Sequence, residues 1–192
     1  MKKRVSLIVV SILLAIGLAG CGVVTVVPIG QESSFTGKEE FDSGAQSSDD
    51  WSAVVEDIKG KAADLSEALA GGGDGAAVSG SAKIIEFNTD TPKYYLLVEM
   101  DGYSGGEIRI QAGGVYSGTA VRDAQEVKGF EDFANQTEWS QYAKALNQEA
   151  DTQVVAPLAI DESVAGKTVT FTGAAAESGG TVTITPVEMT IE

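Results

Sequence analysis

Two stretches near the C-terminus, Thr168-Val169-Thr170-Phe171-Thr172 and Thr181-Val182-Thr183-Ile184-Thr185, decide the fold class. Each alternates Thr with a large apolar residue, the period-two pattern of a strand with one buried face. β-Branched side chains suit a pleated surface. After Thr185-Pro186 the apolar phase slips and resumes at Val187, Met189 and Ile191, which predicts a bulge or bend at Pro186. Toward the N-terminus the period changes. Trp139, Tyr142, Ala143, Leu146, Ala150 and Val154 recur at helical spacing. Asn135 with Glu138 three residues on predicts the helix start, and Pro157 its end.

Before that helix, Glu107-Ile108-Arg109-Ile110-Gln111 alternates cleanly, after a turn at Asp101-Gly102 and Gly105-Gly106. Gln111 falls on the same strand face as Glu107 and Arg109, predicted to be solvent-exposed. Tyr94 to Asp101 is an earlier strand with Tyr94, Leu96, Val98 and Met100 on one face, so Tyr94 is expected in the core. Val78 to Phe87 is a first strand of mixed phase, joined through the turn Asn88 to Lys93. Val115 to Val121 is expected to continue the sheet after a bend at Gly113-Gly114. Three strands, a helix and two strands is the order of an OB-like five-stranded barrel, here residues 76–192 of a mainly β, α+β domain. An open α+β sheet is the alternative.

An amphipathic helix is predicted over 51–70, with Trp51, Val54, Val55, Ile58, Ala62, Leu65 and Leu69 as its apolar stripe. Ser47 with Asp50 offers a capping-box start, and Gly71-Gly72-Gly73 a stop. The stripe is expected to pack on the barrel, with an oligomer contact as the alternative. Residues 51–192 thus form a single folded domain. Residues 21–50 read as a lipid-anchored segment and flexible tether, since Gly30 to Asp50 is mostly Gly, Ser, Glu, Gln and Asp.

Residues 1–20 carry the most specific motif. Lys2, Lys3 and Arg4 precede an uncharged, apolar run from Val5 to Leu18. That run is shorter than the roughly 20 residues of a membrane span, so it reads as a signal peptide. It ends in Leu18-Ala19-Gly20-Cys21, which resembles a bacterial lipobox. The resemblance implies diacylglycerol on the Cys21 thiol and Cys21 as the mature N-terminus. This anchor would leave the protein extracytoplasmic, on the outer face of the cell membrane or at the outer membrane.

The 192 residues include 13 Lys and Arg, 28 Asp and Glu, one Cys and no His. Without His there is no His-based triad or His-ligated metal site. A single Cys allows no internal disulfide. Removing Lys2, Lys3 and Arg4 with the leader takes the formal charge from −15 to −18. That balance argues against nucleic acid as a partner. No EF-hand spacing or phosphate-loop motif is present, and no metal or cofactor is expected.

A family resemblance rests on several segments. These are Val27-Pro28-Ile29-Gly30 behind the Cys, Lys61-Ala62-Ala63-Asp64-Leu65, and Ile110 to Ala124 with its Gly118-Thr119-Ala120-Val121-Arg122-Asp123-Ala124 core. Phe130-Glu131-Asp132-Phe133-Ala134-Asn135-Gln136, Ala145-Leu146-Asn147 and Gly166 to Ala174 complete it. Together they resemble the predicted periplasmic lipoproteins called domain of unknown function 2291. Members have Gly-Pro-Val-Ile-Arg-Gly where this chain has Gly113 to Gly118, and an Arg-Ala-Gly stretch where it has Asp90 to Lys93. The resemblance implies an accessory role beside a sugar-uptake transporter, with no established reaction.

The candidate ligand or partner residues are Gln111, Thr119, Arg122, Asp123, Asn135, Gln136 and Asn147. Arg122 suits a carboxylate or a sugar hydroxyl, against the simpler reading of a structural ion pair. On a strand, Arg122 and Asp123 would point apart and serve different partners. Asn135 and Gln136 could read a sugar, although Asn135 is more simply a helix cap. Asn147 is expected to bond backbone. Tyr94, Tyr95, Tyr103 and Tyr116 are candidate stacking rings. No catalytic residue is assigned. A non-catalytic binding or assembly lipoprotein is the leading reading, with a transporter or envelope protein as partner and a sugar as ligand. The alternative is a carboxylate-dependent hydrolase acting on an extracytoplasmic carbohydrate.

Overall fold

The computed structural model describes residues 41–70 and 75–192. The signal peptide, the lipobox with Cys21 and most of the expected tether lie outside the described residues. Helix α1 (Ser43–Lys61) leads to a two-residue strand β1 (Ala63–Asp64) and a short helix α2 (Leu65–Ala70). Strands β2 (Ala76–Asn88), β3 (Lys93–Glu99) and β4 (Glu107–Gly114) follow. Then come α3 (Ala120–Ala124) and α4 (Gln136–Glu149), and finally β5 (Thr168–Ser178) and β6 (Thr181–Ile191).

The strands run β2-β3-β4-β6-β5, and β5 pairs back onto β2, closing a five-stranded barrel. All its pairings are antiparallel except β4 with β6. The helix between the third and fourth barrel strands completes the OB arrangement expected from the strand order. Val78, Ile84, Leu96, Val98, Ile108, Ile110, Val169, Phe171, Val182 and Ile184 fill the interior.

A second core lies on the outer surface of β5 and β6. There Ala174 and Val187 are covered by Trp51, Val54 and Ile58 of α1, Val121 of α3, and Tyr142 and Leu146 of α4. The two cores explain the Gly173-Ala174-Ala175-Ala176 run. Ala175 faces the barrel interior, while Ala174 faces the helices. Gly173 has no room for a side chain, because a Cβ there would sit 2.5 Å from the Thr185 carbonyl oxygen. The phase slip at Pro186 is a bulge. The register jumps from Thr172 opposite Glu188 to Gly173 opposite Pro186, and the extra residue, Val187, turns toward the helices.

Several expectations change. The first helix begins at Ser43, within the expected tether, because Asp42 Oδ1 accepts from the Ala45 amide at 2.9 Å. Ser47 is no cap; it is buried on the inner face, and its hydroxyl donates to Gly44 O. The predicted 51–70 helix is two helices. Ile58 belongs to the helical core and Leu65 to the barrel core, so the chain turns extended at Ala63–Asp64 to change layers.

Val115 to Val121 is not strand. Gly113 and Gly114 take positive φ angles of 114° and 68° and turn the chain off the sheet. Tyr94 is not core either. A register shift between Lys93 and Tyr95 leaves it 37 % exposed. Gln111 is the reverse case, expected in solvent and found buried.

Candidate functional site

Where β4 ends, the loop 115–119 passes between the barrel and α4. Two amides hold it. Gln111 Oε1 accepts from the Ser117 amide at 2.8 Å, and its Nε2 donates to Ser117 O at 3.2 Å and Thr185 Oγ1 at 2.6 Å. From the opposite side, Asn147 Nδ2 on α4 donates to Gly118 O at 3.0 Å. Gln111 is buried because it closes this network, which is where strand alternation fails as a guide.

Pinning the loop forms a cavity of about 210 Å³ lined by Gly114, Tyr116, Lys144, Asn147, Gln148 and Asp151. Lys144, Asn147, Gln148 and Asp151 share one helix face through steps of three and four. At Ala150–Val155 the helix widens into a π-turn that carries Asp151. Such turns often mark functional sites.

Polar atoms in this cavity lack well-formed hydrogen bonds. Asn147 is 5 % exposed, and its Oδ1 is buried without a hydrogen bond. The Tyr116 hydroxyl is likewise buried and makes no well-formed hydrogen bond, though it sits beside the Asp151 carboxylate and the Gly113 backbone. Burial pushes its ionisation well above the usual tyrosine range, and the Asp151 charge adds to that. Leaving a buried polar group unpaired costs about 1–3 kcal/mol, so a polar ligand that reaches these atoms would recover part of that cost.

Most of the other candidates are satisfied elsewhere. Arg122 and Asp123 lie on α3, not on a strand, and the long Arg122 side chain reaches round to its neighbour. Arg122 Nε and Nη2 donate to Asp123 Oδ1 at 2.8 and 2.7 Å. Thr119 Oγ1 donates to Asp123 Oδ2 at 2.5 Å, and the Arg122 guanidinium lies 4.6 Å from the Trp139 ring centre. Asn135 caps α4, its Oδ1 accepting from the Thr137 and Glu138 amides. Gln136 is exposed on the first turn. Only Asn147 among the seven lines the cavity, with Gln111 behind its wall. Lys144, Gln148 and Asp151 were missed, although their spacing with Asn147 is readable once the helix is placed.

Two wider depressions of about 550 and 610 Å³ lie on the β3–β4 side. Arg109 stacks 4.4 Å from the Tyr95 ring centre and pairs with Glu107 there. Neither depression holds a buried, unpartnered side-chain atom among the described residues.

The fold has a solved counterpart. A crystal structure of an OB-fold protein from Thermotoga maritima matches with a TM-score of 0.57 at 16 % identity, over 80 % of this chain and all of that one. No curated protein matches the sequence. The sequence pattern of the predicted periplasmic lipoproteins, domain of unknown function 2291, matches residues 72–190, spanning the barrel, both loop-pinning amides and the whole cavity. This chain belongs to that family of predicted periplasmic lipoproteins.

Proposed function

We propose that this protein is a non-catalytic binding lipoprotein, anchored through lipid on Cys21. It would present the Tyr116–Asn147–Asp151 cavity to a small polar molecule beside an uptake transporter. The observation that carries this reading is the pair of buried atoms without a well-formed hydrogen bond, Asn147 Oδ1 and the Tyr116 hydroxyl, in one cavity. Binding proteins fix a ligand's orientation with a few convergent polar groups of this kind. The hydrolase alternative needs two carboxyl groups flanking the substrate. Asp151 is the one carboxylate that lines this cavity. The lipobox Leu18-Ala19-Gly20-Cys21 supports the anchor, and the family supports an extracytoplasmic location.

Two measurements test the reading. Cys21→Ser should move the protein from the membrane to the soluble fraction; persistence in the membrane fraction would remove the lipid anchor from the proposal. Crosslinking the wild type in its own membrane, followed by mass spectrometry, should recover a transporter subunit. Recovery of no stable partner would leave a solute-binding protein without the transporter role.

A further inference from the structure

The cavity is rich in acceptors. Asn147 has committed its one bonded donor, Nδ2, to Gly118 O and leaves Oδ1 free. The Asp151 carboxylate forms no ion pair among the described residues. It also lies beside the backbone at Gly113, with Oδ1 4.0 Å from where a Cβ would stand. The Tyr116 hydroxyl is the third group, without a well-formed hydrogen bond and beside the Asp151 carboxylate and the Gly113 backbone.

We propose that the Tyr116–Asn147–Asp151 cavity binds the primary ammonium group of a small polar molecule. This deepens the binding reading above and rests on it. An ammonium carries three donors and no acceptor, matching three oxygen groups of which one is charged. A carboxylate or phosphate would set acceptor against acceptor. A neutral hydroxyl supplies a single donor and, although its bond to Asp151 is charge-assisted, lacks the full ion-pair attraction of an ammonium. The formal charge of −15 also concentrates cations around the chain.

Lys144 is the one cation of the lining. It lies seven residues before Asp151, about 10 Å along the helix axis, and is exposed. It therefore leaves the Asp151 end to the ligand's amine and faces the ligand's other end. The size limits that ligand. About 210 Å³ is smaller than the roughly 300–1,000 Å³ that holds drug-sized molecules.

The test compares primary amines with neutral counterparts of the same shape, using the full chain in detergent. Glucosamine against glucose and ethanolamine against ethylene glycol are suitable pairs, read by thermal shift and titration calorimetry. At least one amine should bind tenfold or more tightly than its counterpart. Asp151→Asn should remove that preference, and Tyr116→Phe should weaken it, with the melting temperature of each unliganded variant checked against wild type. If a neutral compound binds as well as its amine, the ammonium proposal falls and the binding reading stands. If no compound in any pair shifts the protein, both fall.

Discussion

The α3 cluster of Thr119, Arg122 and Asp123 and the cavity of Tyr116, Asn147 and Asp151 occupy neighbouring stretches of chain, yet they treat polar atoms in opposite ways. In the cluster the charges are consumed. Arg122 donates twice to Asp123, lies over Trp139, and leaves Asp123's second oxygen to Thr119. In the cavity Asn147 Oδ1 and the Tyr116 hydroxyl are left without a well-formed hydrogen bond. The more conspicuous residues, an Arg beside an Asp in a family motif, thus have their hydrogen bonds occupied by one another. The less conspicuous Asn and Tyr are what a ligand would meet. The difference teaches that a site is found where hydrogen bonds fail to close, and not where charge is densest.

The comparison can be broken first at its foundation. Gln111→Ala would orphan the Ser117 amide and carbonyl and the Thr185 hydroxyl at once. A loss of about 2–4 kcal/mol in urea unfolding is expected, with ligand response lost because Tyr116 rides on the same loop. A variant of wild-type stability would show that the loop is held by something else. Next is the closed cluster. Arg122→Ala should cost about 1–2 kcal/mol through the lost Asp123 pair and Trp139 stacking, with ligand affinity unchanged. Lost affinity at full stability would make the cluster, and not the cavity, the site.

The smallest effect concerns Asp57, which belongs to neither and holds the chain just after α3. Burial pushes its carboxyl up, but the Lys61 ammonium at 2.7 Å and the Glu126 amide at 2.8 Å more than offset this. Its pKa is held below the ordinary 3.8. The contribution is therefore complete above 3.8 and is lost as pH falls from there through the folded value. Asp57→Asn should flatten the acid limb of the stability curve by a small amount without altering ligand response. An acid limb identical to wild type would mean that this pair adds nothing to pH dependence.

Much of the barrel was legible because strands with one buried face must alternate. The Thr-rich strands, the slip at Pro186, the Asn135 cap and the three-strand, helix, two-strand order all follow from local pattern. The errors share a cause. The composition of residues 43–50 predicts a tether, because it does not reveal that Asp42 caps a helix there. Alternation places Tyr94 and Gln111 on the wrong sides because a bulge and a hydrogen-bonded loop override it. A bend at Gly113-Gly114 in a continuing sheet would leave Arg122 and Asp123 on a strand and pointing apart, but two successive positive φ angles turn the chain off the sheet instead.

The sequence by itself determined the period of the Thr-rich closing strands and the three-and-four spacing of Lys144, Asn147, Gln148 and Asp151, and it carries a segment that resembles a lipobox at Cys21, since each pattern depends on neighbours a few residues apart. Only the tertiary structure decided that Gln111 and Asn147 would grip one loop from opposite sides, and that Tyr116 and Asp151 would meet beneath it. Those contacts join residues 6 to 74 positions apart in the chain, and their geometry is set by how the barrel closes and how α4 docks on it.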